Sequence, residues 1–200
     1  MTDITAQMVR QLREMTGAPM MDCKSALIET GGDMDKAKEV LRKRGKQVAD
    51  KAAGRDVKEG LIYSYTHHNG KIAVLVEVVC ETDFVAMNTD FKAFCHGVAL
   101  TACAYAPDWL NRESVSAEAV ANERRIVTEM AQENMKGKPE NVVEKAVEGR
   151  MDKWFAEKCL MEKPYVPDDS KSVEQARTEL VGKIGENIMV RRFVRLELGA

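Results

Sequence analysis

A carboxylate and a large ring stand side by side at Asp83-Phe84, inside the run Cys80-Glu81-Thr82-Asp83-Phe84-Val85. The run follows a strongly apolar, strand-like stretch, Ile72 to Val79, and precedes a helix start at Asn88-Thr89-Asp90. Acid and ring therefore sit where a strand hands over to a helix. Such junctions lie on the surface, and rigid elements on either side often hold functional residues there. Two readings stand for Phe84. It folds back as the first core residue of the helix, or it protrudes with Asp83 to wedge into a partner. The chemistry of the second reading is non-covalent.

No established catalytic motif accompanies it. The chain has no GxSxG, no glycine-rich phosphate loop with its lysine, and no HExxH. The five cysteines, at 23, 80, 95, 103 and 159, form no CxxC pair and no Cys/His metal spacing. They read as buried small hydrophobes in a reducing compartment. A thiol enzyme using Cys80 or Cys95 is the competing reading. His67-His68 beside Asn69-Gly70 are turn residues, and Asp168-Asp169 fall in a Pro-flanked linker. No metal and no cofactor is expected, and the chain does not read as an enzyme.

Composition narrows the partners. Apolar residues make up 44% and charged residues 31%, enough to bury a core and stay in water. A formal net charge of -2 gives no basic footprint for direct nucleic-acid binding. No run of about 18 apolar residues exists to span a membrane. The opening Met1-Thr2-Asp3-Ile4 lacks the features of a signal or transit peptide, so a cytoplasmic location is the expectation.

The elements that must position Asp83-Phe84 follow from periodicity. Ile4, Met8, Leu12 and Met15 mark one face of a first helix, which Gly17-Ala18-Pro19 ends. A second helix runs from near Met21-Asp22 through Cys23, Ala26 and Leu27 to Gly31-Gly32. A third starts at Asp33, a natural N-cap, and is expected to close at Gly45. These three make a small bundle. Residues 46–57 read as an alanine-rich connector, in part a short helix, and the domain boundary is placed there: 1–56, then 57–200.

A hairpin follows, from Leu61 to His67 and from Ile72 to Cys80, with Asn69-Gly70 as the positive-φ pair of its turn. The return strand is apolar on both faces except at Glu77, so both faces are expected to be covered. The helix from Asn88 carries Phe91, Phe94, Cys95, Val98, Ala99, Ala102 and Tyr105 on one stripe and is expected to lie on the sheet. The middle reads as a helical hairpin, Ala117 to Met135 and Glu140 to Met161, with Trp154 and Phe155 in its seam. The end reads as a helix, Val173 to Ile184, and a period-two strand from Ile188 that pairs with the hairpin. Arg191-Arg192 read as sheet-surface charge. The fold class is α+β, an N-terminal three-helix bundle and then an antiparallel sheet packed with helices.

Several of these stretches together resemble one known family. Leu12 to Lys24 (LREMTGAPMMDCK), Gly32 to Ala37 (GDMDKA) and Leu41 to Gly45 (LRKRG) look like the opening of translation elongation factor Ts. Cys80 to Val85 matches that family's signature. Glu148-Gly149-Arg150-Met151 with Glu162-Lys163-Pro164, and Ile184 to Ile188 with Val190 to Phe193, match further along, in family order. Val79 stands where the family often has asparagine, Met87 where a basic residue is usual, and Pro19 where glycine is common.

The resemblance implies a guanine-nucleotide exchange factor for elongation factor Tu, the GTPase that delivers aminoacyl-tRNA in protein biosynthesis. It implies a first domain like a ubiquitin-associated bundle. It also assigns Thr82, Asp83, Phe84 and Val85 to the segment that intrudes beside the Mg²⁺ and phosphate site of the GTPase. Arg13, Met20 and Met21 match positions that contact its nucleotide domain. Longer members carry a duplicated core while this chain shows one, so a homodimer is expected. The alternative function is an adaptor that uses the N-terminal bundle to bind a peptide or a ubiquitin-like partner.

Overall fold

Helix starts and stops account for the first quarter of the chain. The computed structural model describes residues 4–199. Helix α1 spans Ala6–Thr16, with the Thr5 hydroxyl accepting from the Met8 N–H at its start. Helix α2 spans Met20–Glu29 and begins directly after Pro19. Helix α3 spans Met34–Ala52, its first turn capped by the Asp33 carboxylate, which accepts from the Asp35 and Lys36 N–H groups at 3.1 Å each. Val9, Leu12, Cys23, Ala26, Leu27, Ala37 and Leu41 fill the centre of this three-helix bundle. The expected bundle is present. Gly45, however, does not close α3, which continues through it for a further seven residues.

Strand β1, Glu59–Thr66, and strand β2, Ile72–Cys80, form the expected hairpin. Its turn differs from the expected tight pair. The connection runs from His67 to Lys71, with His67 N–H donating to the Ile72 carbonyl and Gly70 N–H donating to the His67 carbonyl, both at 2.8 Å. Gly70 alone takes positive φ (67°), while Asn69 accepts from the Lys71 N–H through its side chain. A longer loop with one left-handed glycine replaces the two-residue turn.

Helix α4, Asp83–Met87, is a single short turn, and helix α5, Thr89–Tyr105, follows it. Helices α6, Ala117–Asn134, and α7, Glu140–Lys158, are the two arms of the expected helical hairpin. Strand β3, Pro164–Tyr165, pairs antiparallel with strand β4, Asp168–Ser172. The Asp168-Asp169 segment is therefore a strand, not a linker. Helix α8, Val173–Ile184, and strand β5, Ile188–Glu197, complete the α+β fold. The antiparallel sheet has the order β1-β2-β5, so β5 pairs with the hairpin as expected.

The chain divides into two compact units. The first takes the chain up to Tyr63, with Val76–His96 and Gln175–Arg191. Within it the Tyr63 hydroxyl of β1 lies 3.0 Å from His96 Nδ1 of α5, which ties that helix to the sheet. Val76, Val78, Ile188 and Val190 are buried, and so are Phe91, Phe94 and Cys95. Arg191 lies on the surface and donates to Glu77 at 3.1 Å.

In that unit α3 and α8 touch at glycines. A Cβ placed on Gly182 would lie 2.8 Å from the Gly45 Cα. This packing explains why α3 tolerates Gly45. A mid-helix glycine costs about 1 kcal/mol against alanine, too little to end a helix held by packing; the glycine that the close approach requires is Gly182, since a Cβ on Gly45 would keep 3.9 Å.

The second unit holds Ser64–Leu75, Gly97–Glu174 and the chain from Arg192. Val127 and Ala131 of α6 pack with Val147, Met151 and Phe155 of α7, and with Val115 and Cys159. Phe155 is buried and Trp154 packs beside it against Trp109, the ring centroids 5.0 and 5.5 Å away, so both belong to the seam. Leu75, Val194, Leu196 and Leu198 are exposed. The covering expected for both faces of β2 thus stops short of Leu75, and the buried alternation of β5 ends at Val190. Among the described residues, no helix is long and apolar enough to cross a membrane.

Candidate functional site

The turn that carries Asp83 and Phe84 is built from its two ends. At the first end, β2 delivers Cys80 fully buried, and its thiol donates to the Thr82 carbonyl at 3.1 Å. Thr82 then leaves the strand with extended backbone angles and caps α4, its hydroxyl oxygen accepting from the Val85 N–H at 3.4 Å. At the other end, Asn88 N–H donates back to the Val85 carbonyl, and the Asn88 side chain accepts from the Asp90 N–H at 2.7 Å. The residue that stops α4 thus starts α5.

With both ends fixed, the side chains of α4 sort by periodicity. Val85 and Ala86 are buried. Phe84 is 82% exposed and Met87 is 69% exposed. Three residues apart on a helix, they share its outer face. Of the two readings of Phe84, folding back into the core does not hold, because Val85 and Ala86 take that place. Asp83 is exposed in the first turn, where a carboxylate suits the positive end of the helix.

Thr82 is also held from outside the turn. Its hydroxyl donates to Glu186 Oε1 at 2.7 Å and its N–H donates to Glu186 Oε2 at 3.1 Å. The neighbouring Glu81 accepts from the Asn187 N–H at 2.6 Å and from Arg55 at 3.3 Å. Glu186 and Arg55 were not singled out by sequence reasoning. Their only signal was that Glu186 lies in the Ile184 to Ile188 block, since each meets its partner through the fold and not along the chain.

The N-terminal candidates lie in the bundle. Arg13 and Met20 line one surface depression of roughly 520 Å³ with Arg10, Glu14, Gly17 and Lys183. Lys183 also pairs with Asp90 at 2.7 Å, at the start of α5. Met21 does not line this depression. The two methionines are not tucked into the bundle, as helix-start residues would be. Met20 is 40% exposed and Met21 73% exposed, because Cys23, Ala26 and Leu27 occupy the inward face of α2.

The thiols offer no nucleophile. Cys23, Cys80, Cys95, Cys103 and Cys159 are all free and buried. Burial, then the Glu186 charge, raises the Cys80 pKa to about 11. Burial raises that of Cys95 to about 12. The attacking species is the thiolate, and these groups hold their protons. Among the described residues, no group of three or more His, Cys, Asp or Glu side chains could hold a metal ion.

Comparison with known proteins gives this geometry a context. The family described as Elongation factor TS matches residues 35–180. The Elongation factor Ts of Desulforamulus reducens is 51% identical over 199 residues, which is 100% of this chain and 91% of that protein. The Elongation factor Ts of Carboxydothermus hydrogenoformans is 52% identical over 196 residues, 98% of this chain and 89% of that protein. The Elongation factor Ts of Fervidobacterium nodosum is 48% identical over 197 residues, 98% of this chain and 99% of that protein.

Proposed function

The chain belongs to the elongation factor Ts family, and on that premise we propose that it is the guanine-nucleotide exchange factor of elongation factor Tu, acting in translation elongation by disturbing the Mg²⁺ and phosphate site of the GTPase. The observation that carries the mechanism is the exposed Phe84, held outward on a helix capped at both ends, with Asp83 beside it.

The GTPase holds GDP through phosphate contacts and a Mg²⁺ whose charge offsets the diphosphate. A factor that binds the nucleotide-free GTPase more tightly weakens GDP binding by the same factor, since the coupling is reciprocal. Wedging of Phe84 displaces elements that carry metal-site side chains. Asp83 then accepts from the donors so uncovered, and Thr82 and Val85 hold the turn in place. This chain performs no covalent chemistry and needs neither metal nor cofactor of its own. Arg13, Met20 and Met21 bind the nucleotide domain, where exposed methionines suit a surface that must adapt to its partner.

In the same reading, residues 1–56 form a partner-binding module and residues 57–200 form the core. Two copies pair through the core as a homodimer, for which the exposed Leu75, Val194, Leu196 and Leu198 supply apolar surface. The protein works in the cytoplasm, where translation takes place, and binds the GTPase rather than nucleic acid.

The test is the release of a fluorescent GDP analogue from elongation factor Tu with substoichiometric amounts of this protein. Accelerated release supports the exchange function. An unchanged rate, with an active GTPase from a compatible source, rejects it and leaves the adaptor reading. A monomer by light scattering at micromolar concentrations rejects the pairing.

A further inference from the structure

We infer that Glu186 is a positioning residue that fixes the attitude of Phe84 through Thr82. The inference rests on the wedge reading of Phe84 given above, and it concerns what keeps the wedge rigid. Helix α4 has five residues, far below the length of about 12–15 at which an isolated helix becomes even marginal in water. It buries only Val85 and Ala86. Its start depends on Thr82, and the cap that Thr82 makes to the Val85 N–H is long, at 3.4 Å.

Glu186 supplies what that cap lacks. A threonine hydroxyl has one proton and two lone pairs. Glu186 Oε1 takes the proton at 2.7 Å, so the lone pairs are left to accept from Val85. Oε2 takes the Thr82 N–H at 3.1 Å. Both oxygens of one carboxylate therefore hold one residue, backbone and side chain together. Hydrogen bonds to a charged acceptor are the stronger kind, and two of them fix an orientation as well as a distance.

The loop that carries Glu186 is itself braced. Asn187 is buried, its N–H donates to Glu81 at 2.6 Å, and its side-chain amide donates to the Arg55 carbonyl at 3.0 Å. The Arg55 guanidinium donates to the Gly185 carbonyl at 3.1 Å and to Glu81 at 3.3 Å. Residues 185–187 thus grip two adjacent residues of the turn, Glu81 and Thr82, and anchor the grip to the segment that leaves α3. Phe84 lies two residues beyond Thr82. A wedge that is already oriented loses no free energy to ordering at the step where, in the bound complex, it displaces the metal-site elements.

Amide hydrogen exchange on the free protein tests the clamp without the GTPase. In Glu186→Ala the Thr82 and Val85 amides are expected to exchange at least about tenfold faster than in the parent, while amides in the bundle keep their protection. Unchanged protection at Thr82 and Val85 overturns the inference. Glu186→Gln, the variant to use if the alanine form does not fold, keeps one acceptor for the threonine hydroxyl but sets an NH₂ against the Thr82 N–H. Intermediate exchange is expected for it.

GDP release then reads the positioning. Glu186→Ala is expected to lower the maximal acceleration at saturating factor and to leave the half-saturating concentration within about twofold, with no added loss in a Phe84→Ala background. Equal losses in both backgrounds overturn the positioning role. If Phe84→Ala alone releases GDP at the parent rate, the wedge reading has failed, and the exchange protection still decides the clamp.

Discussion

Gly182 of α8 faces Gly45 of α3 so closely that a methyl group on Gly182 would lie 2.8 Å from the Gly45 Cα, whereas one on Gly45 would keep 3.9 Å from its nearest neighbour. The two glycines meet at one crossing but are not equivalent. Gly182→Ala must push the helices apart, and overpacking of this kind costs roughly 1–3 kcal/mol. Gly45→Ala meets ordinary contact distances and gains helix propensity, worth about 0.5–1 kcal/mol. Thermal melts of the two variants are expected to shift in opposite directions, down for Gly182→Ala and up for Gly45→Ala. Equal shifts would contradict the asymmetry of the crossing.

Phe84→Ala separates stability from exchange. The ring is 82% exposed, so its loss is expected to change the unfolding free energy by less than about 0.5 kcal/mol. In the proposed wedge role it is expected to carry about 2 kcal/mol or more, a loss of roughly thirtyfold in the acceleration of GDP release. Met87, on the same face, is expected to give a smaller loss as Met87→Ala. A Phe84→Ala protein that melts like the parent and still accelerates release fully would remove the ring from the mechanism.

The buried thiols predict a pH dependence with a definite sign. Cys95 is raised to about 12, and Cys80 and Cys159 to about 11, in each case chiefly by burial. The folded state therefore keeps protons that the unfolded chain gives up near pH 9. Below that value the contribution to stability is fully present, and it is lost as the pH rises from about 9 toward 11–12. The native protein is expected to resist iodoacetamide at pH 8 and to keep its exchange activity, while denaturant exposes five reactive thiols. Rapid alkylation of Cys80 or Cys95 in the native state would contradict their burial.

Periodicity and turn chemistry made the helices, the β1–β2 hairpin and the α6–α7 seam readable, because each is decided by neighbours within a few positions. The features that escaped are those decided at long range. Gly45 reads as a helix stop until α8 is known to press against it. Asp168 to Ser172 is polar and follows prolines, so nothing local marks it as a strand, and only pairing with Pro164-Tyr165 makes it one. Phe84 stayed open between core and surface because the choice depends on Val85 and Ala86 filling the inward face of α4. Glu186 stood out only as a member of the Ile184 to Ile188 block and its role escaped, since its partner Thr82 is 104 residues away along the chain.

The free protein keeps Phe84, Met87 and Met21 in water, each more than two-thirds exposed. Such surface orders its hydration shell, and covering it releases that shell with a fall in heat capacity. A partner that takes up these side chains therefore binds with an enthalpy that becomes steadily more favourable on warming. The charged Asp83 and Arg13 add a salt-dependent share to the proposed contact, since Debye screening acts on charges and leaves apolar contact nearly untouched. The exposed ring and methionines thus give the covering of this surface a calorimetric signature, a negative heat-capacity change, that the charged contacts do not share.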